Sequence, residues 1–284
     1  MIKVLKAGLY TSIQDKGRFG YRNIGVPNSG AMDSISSGLA NALLNNQEND
    51  AVLEIMLQGP TLEFTKTTAI VISGADMSPK LNDEFMLNYK VYTVKSGDIL
   101  SFGQLIKGLI TYVAILGGFQ TETILNSKSF YQGITGESKL KKNDCIPYKT
   151  QTTSIKKANS ILKINKQFFE TKIIEAYKGP DFELFSLAEQ EKLITNLYTV
   201  SKDINRMGYR LEESVIPHNK SMITGPVLPG TVQIVPSGQL IILMKDAQTT
   251  GGYPRVFQLS EKSIAILAQK KVGDTLNFSV LNNS

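Results

Sequence analysis

KSGDILSF, residues 95–102, returns near the end of the chain as KVGDTLNF, residues 271–278. Both copies read as a glycine–aspartate turn followed by a strand of alternating apolar residues. The echo has a companion: RFGYR, Arg18 to Arg22, returns as RMGYR, Arg206 to Arg210. The arginine motif precedes the turn-and-strand motif both times, once in each half, as a duplicated unit would give. Around them lie many short strand-like runs and few short helical ones. That mixture points to a mainly β protein of two related β-barrels rather than an alternating βαβ sheet. We place the first subdomain at 1–165 and the second at 166–284. The Lys-, Thr- and Ser-rich residues 149–168 are the expected linker.

The local signals are specific. Asp33 is an N-cap for a helix whose Ile35, Leu39 and Leu43 share a face, with Asn45 and Asn46 closing it. Ala51 to Leu57 is a short apolar strand with Glu54 in its middle, expected as a buried brace. Thr68 to Ser73 and Leu109 to Leu116 are apolar strands. Ser186 and Glu189 make a capping box for a helix to about Asn196. Thr231 to Val235 and Leu240 to Met244 are strands joined by the turn Pro236 to Gln239, and Ser260 caps a helix through Ala268.

The densest polar stretch is QDKGRFGYRNIGVPNSGAMD, Gln14 to Asp33. Its four glycines give up much chain entropy on folding, and long ordered loops of this kind carry function. We expect a binding loop.

Composition narrows the chemistry. The chain has 284 residues with 42% hydrophobic and 20% charged content, as a soluble globular protein has. No apolar run reaches the roughly 18 residues of a membrane helix. The N-terminus lacks a signal-peptide core, so a cytoplasmic location is expected. A single cysteine, Cys145, excludes an internal disulfide or thiolate metal cluster. The one histidine, His218, leaves acid–base work to carboxylates, lysine or tyrosine, and no metal site is expected. The net charge of +6 rests partly on Lys156, Lys157, Lys163 and Lys166, without interleaved aromatics or a nucleic-acid motif, so nucleic acid is not an expected partner. Neither G-x-G-x-x-G after a strand nor G-x-x-x-x-G-K-[ST] occurs, so no nucleotide loop is recognisable.

Four motifs carry a resemblance. They are Gln14-Asp15-x-Gly17-Arg18-x-Gly20-Tyr21, Gly25-Val26-Pro27-x-Ser29-Gly30-Ala31-Met32-Asp33, Asn205 to Leu211, and Thr249-Thr250-Gly251-Gly252-Tyr253-Pro254. Together they resemble the KipA-like family, whose members are also known as C-type 5-oxoprolinase subunits, allophanate hydrolase subunit 2-like or biotin-dependent carboxyltransferase-like proteins. The resemblance runs from Leu9 to Phe278. It implies a pair of cyclophilin-like β-barrel subdomains. It implies two partners, the KipI-like B-type 5-oxoprolinase subunit and the LamB/YcsF-like A-type one. The set hydrolyses 5-oxoproline to L-glutamate, with ATP consumed by the complex. It implies two alternatives: a carboxyltransferase component acting on a small amide such as urea with a biotin carrier, or a non-enzymatic regulator that binds a KipI-like protein. The sequence departs from the family at Ala247 and Glu137, where arginines are usual, and each change removes a possible anion contact.

On these grounds Asp246, Arg206 and Arg18 are the expected catalytic residues. The arginines would anchor a carboxylate or acyl phosphate bidentately, or brace their loops against Asp15 and Asp203. Asp246 would orient a water or substrate amide, or cap the Thr249-Thr250-Gly251 turn. Gln14, Asp15, Asn28, Ser29, Asn205, Thr249, Gly251 and Tyr253 are the expected substrate contacts.

Overall fold

The computed structural model describes residues 1–149, 167–220 and 222–281. The expected linker and its lysines lie almost wholly outside them. The protein is mainly β. It divides into two compact units, one of Met1–Arg18 and Ser29–Asn165, the other of Phe19–Asn28 and Lys166–Ser284. Part of the Gln14–Asp33 loop therefore belongs with the second unit, which nothing in the sequence signalled.

The first unit holds a six-stranded and a five-stranded sheet. The central strands of the latter, Val52–Met56, Thr68–Asp76 and Lys107–Ile115, are buried along nearly their whole length. Their continuous apolar spelling has that cause: both faces are covered. Ile13, Leu53, Ile70 and Val113 pack into one core with Ile2, Val4, Leu62 and Leu100 of the six-stranded sheet. The helix Ser34–Leu43 packs on the same five-stranded sheet, with the Ser73 hydroxyl donating to Ser36 O at 2.7 Å. Asp33 caps it as expected, accepting from Ser36 N at 2.9 Å. Glu54, 1% exposed, accepts from Met32 N at 2.8 Å and the Tyr112 hydroxyl at 2.9 Å, so it braces the loop end against the sheet. Burial and the neighbouring Glu54 and Asp33 carboxylates push the Tyr112 phenol well above its ordinary pKa.

The second unit closes as a seven-stranded barrel. Going round it come Ile173–Lys178, Arg255–Leu259, Thr231–Ile234, Gln239–Leu243, Gly208–Ser214, Tyr198–Ile204 and Thr275–Val280. A parallel pairing of the first and last of these strands shuts the ring, Ile174 opposite Phe278. The helix Leu187–Thr195 begins at the Ser186–Glu189 capping box and the helix Glu261–Ala268 at Ser260.

The K-x-G-D echo is structural. In both copies the glycine is left-handed, φ 90° at Gly97 and 86° at Gly273. The aspartate closes the turn by accepting from the lysine amide, Asp98 from Lys95 at 2.7 Å and Asp274 from Lys271 at 3.0 Å. The glycine amide donates to Phe64 O in one and Val200 O in the other, and each aspartate carbonyl accepts in return at 2.9 Å. A third copy, Lys141 to Asp144, makes the same bonds with Val4 and carries Asn143 at φ 75° in the glycine's place. Asparagine tolerates that conformation better than other non-glycine residues.

The arginine echo is not structural. Gly20 is left-handed in a loop that runs into the short 3-10 turn Arg22–Ile24. Gly208 opens the strand Gly208–Ser214. Arg18 and Arg206 therefore do not occupy like positions.

Candidate functional site

Strand alternation fixes which side chains leave the second unit's barrel. Along Gly208–Ser214, Tyr209 and Leu211 are buried inward and Arg210 faces out. Along Gln239–Leu243, Leu240 and Ile242 are inward and Ile241 and Leu243 out. Register sets Gln233 opposite Ile241, Ile241 opposite Arg210, and Gly208 opposite Leu243. One row thus crosses three strands: an amide, an aliphatic side chain and a guanidinium.

Above this floor lies a cavity of about 250 Å³. The hairpin tip gives one wall, Asp203, Asn205 and Met207, and the segment Gln248 and Tyr253 the other. Asn205 Oδ1 accepts from Met207 N at 2.7 Å and Gly208 N at 3.2 Å, which shapes the tip. Gln233, 2% exposed, donates from Nε2 to Tyr253 O at 3.2 Å. A Cβ on Gly251 would lie 2.5 Å from that Nε2, so a side chain there would push the Gln233 amide aside. Arg210 is about a third exposed; its Nε lies 3.8 Å from Asp203 Oδ2 and its Nη1 3.4 Å from Gln239 Oε1.

Two of the expected catalytic residues, Arg206 and Asp246, are bound to each other outside the cavity lining. Arg206 forms a bidentate pair with Asp246, Nε to Oδ2 at 2.8 Å and Nη2 to Oδ1 at 3.0 Å, with both side chains under a tenth exposed. Asp246 N also donates to Arg206 O at 2.8 Å. The pair ties the hairpin tip to the Asp246–Gly251 segment, and neither residue lines the cavity. Asp203, the partner weighed for Arg206, pairs with Arg210 instead. Ala247, where the family arginine is usual, is buried against Val227 and Leu243.

In the first unit the expected residues form a polar knot. Asp15 Oδ1 accepts from Gly17 N, Ser127 Oγ and Ser129 Oγ at 2.8, 2.7 and 2.6 Å, and its Oδ2 from Lys128 N at 2.6 Å. Four donors saturate a carboxylate. Arg18 is wholly buried and donates from Nη2 to Ser129 O. Gln14 is wholly buried and donates to Ser12 Oγ and Phe130 O. Ser29 is buried at φ 54°, and Asn28, which ends the loop segment of the second unit, is half-buried.

Of the expected contacts, Asn205 and Tyr253 come together in the cavity, with Gly251 beside it. Thr249 accepts from Val227 N at 3.1 Å through its carbonyl and holds the segment down. Arg210, Gln233 and Gln248 were not in the expected set. The signal for Arg210 was present: it alternates with Tyr209 and Leu211.

A second brace reaches this wall. Arg255 donates from N and Nε to Asp181 Oδ2 at 2.9 and 2.7 Å and from Nη1 to Pro226 O at 3.2 Å. Gly225–Pro226 in turn pairs with Thr250–Gly251. Burial alone would raise the Asp181 carboxyl; the hydrogen bonds and charge of Arg255 outweigh it and bring the pKa below the ordinary value of 3.8.

Among the described residues, no helix is long and apolar enough to cross a membrane, and no three His, Cys, Asp or Glu side chains gather as metal ligands.

The model of the carboxyltransferase domain family, subdomain A and B, matches residues 24–280. The chain belongs to this family. It is similar to the C-type 5-oxoprolinase subunit of Escherichia coli strain K12, 33% identical over 284 residues, 98% of this chain and 90% of that one. The Kluyveromyces lactis urea amidolyase crystal structure superposes with a TM-score of 0.87 at 29% identity, over 99% of this chain and 19% of that one. The TTHA0988 crystal structure gives a TM-score of 0.89 at 24% identity and shares the fold. It covers 98% of this chain, which spans about half, 55%, of the TTHA0988 chain.

Proposed function

We propose that this carboxyltransferase-family chain is the C-type component of an ATP-dependent 5-oxoprolinase. It would act with KipI-like B-type and LamB/YcsF-like A-type components to open 5-oxoproline to L-glutamate. The observation that carries the reading is the match to the Escherichia coli C-type 5-oxoprolinase subunit over 90% of that chain's length. The cavity supports it. 5-Oxoproline is a small lactam with one carboxylate, and a floor of guanidinium, aliphatic side chain and amide complements those groups. No nucleotide loop of the P-loop or Rossmann kind is present in the sequence, so we assign ATP use to the assembly. This chain's residues would bind and orient the ring while ATP supplies the activation of the lactam carbonyl.

The test is omission. Glutamate release from 5-oxoproline and ATP is measured with all three components, then with each left out. We expect release only from the full set. Release unchanged without this chain overturns the reading.

A second reading has its own support in the family model and in the likeness to urea amidolyase. Under it the chain would transfer carboxyl from a biotin carrier to a small amide such as urea. Co-purification of a biotinylated protein with this chain, and biotin-dependent carboxylation of the amide, would favour it. Absence of both would remove it.

A further inference from the structure

The row Gln233–Ile241–Arg210 on the outer face of the barrel has a chemical direction. Gln233 Nε2 is committed to Tyr253 O, so the amide presents Oε1 as its acceptor. Arg210 holds its protein partners loosely, at 3.4 and 3.8 Å, against about 2.7–2.9 Å for a firm charge-assisted bond. Ile241 lies between them in register. Adjacent strands are about 4.8 Å apart, so acceptor and guanidinium stem are anchored about 10 Å from each other across an apolar strip.

We propose that this row is the recognition site for a small cyclic or N-acyl amino acid. Arg210 takes the α-carboxylate, Ile241 packs against the aliphatic ring face, and Gln233 Oε1 accepts from the substrate amide N–H. Gly251 is the positioning residue: its missing side chain leaves room for the Gln233 amide. Arg206 and Arg18, the first choices by sequence, do not take this part, because Arg206 is bound to Asp246 and neither arginine lines the cavity. The inference rests on the proposed function and narrows it to named contacts.

The experiment is a calorimetric titration of the full chain with 5-oxoproline, 2-pyrrolidinone and N-acetylglutamate. Wild type should bind both carboxylates and bind 2-pyrrolidinone more weakly. Arg210→Gln should weaken the carboxylates roughly tenfold to a hundredfold, as loss of a charged hydrogen bond does, and leave 2-pyrrolidinone unchanged. Arg210→Lys should recover part of the loss, since the charge returns without the fork. Gly251→Ala should weaken every ligand bearing an amide N–H, with the melting temperature held, because the atom displaced is the end of a flexible side chain. Retained 5-oxoproline affinity in a folded Arg210→Gln chain overturns the proposal, and so does a wild-type chain that binds none of the three ligands. Glutamate release by the assembly is a separate readout, so it can persist when this site assignment fails. Binding of N-acetylglutamate but not 5-oxoproline would keep the recognition chemistry and overturn the 5-oxoprolinase reading.

Discussion

At the scale of single residues, the buried pair Arg206–Asp246 shows how much of a side chain's setting one sequence leaves unstated. A charged residue inside a glycine-rich motif reads as catalytic, and its pairing across 40 positions is invisible in one sequence. Breaking such a buried pair leaves an uncompensated charge, which costs about 3–5 kcal/mol. Arg206→Ala and Asp246→Asn should each lower the urea midpoint accordingly. The double change Arg206→Met with Asp246→Leu should cost less than the sum of two single losses. Equal additivity would show that the two side chains act independently. Asp181 gives a pH signature. Its folded pKa lies below the ordinary 3.8, so the Arg255 pair contributes fully above that value and is lost as pH falls through the folded pKa. Wild type should therefore exceed Asp181→Asn in stability at neutral pH, and the gap should close only below about pH 4. A gap that stays constant down to about pH 2 would contradict the assignment.

At the scale of elements, legibility follows how local the determinant is. The helix at Ser34–Leu43, the capping box at Ser186 and the hairpin around Gly238 were readable because cap and turn residues act within a few positions. The K-x-G-D turn was readable for the same reason: left-handed glycine and turn-closing aspartate sit inside four residues. The third copy escaped because Asn143 replaces the glycine. R-x-G-Y-R misled because its glycine has no fixed backbone state; the residues after it and their strand partners decide whether the chain bends or extends. The turn makes a clean prediction. A Cβ at Gly97 or Gly273 meets nothing within 4 Å, so alanine there should cost only the left-handed penalty, ~1–2 kcal/mol. At Gly30 a Cβ would lie 2.7 Å from Lys16 O, so Gly30→Ala should cost more than either. Thermal unfolding of the three variants ranks them, and a Gly30→Ala no worse than the others would show that the loop yields.

At the scale of the whole molecule, the mainly β class and the family were legible, since duplicated motifs and long specific spellings run along the chain. Two things were not. The assignment of Phe19–Asn28 to the second unit, where Arg22 donates to Val227 O, depends on contacts more than 200 positions apart. The cavity depends on cross-strand register, which sets Gln233, Ile241 and Arg210 side by side from three separate strands. Under the proposed function, substrate recognition belongs to this one barrel face. It is tested most directly by the KM of the three-component assembly for 5-oxoproline, built once with wild-type chain and once with Arg210→Gln. A KM raised at least about tenfold, with a smaller change in kcat, is the predicted result. An unchanged KM, or glutamate formed as fast with no chain added, would contradict it.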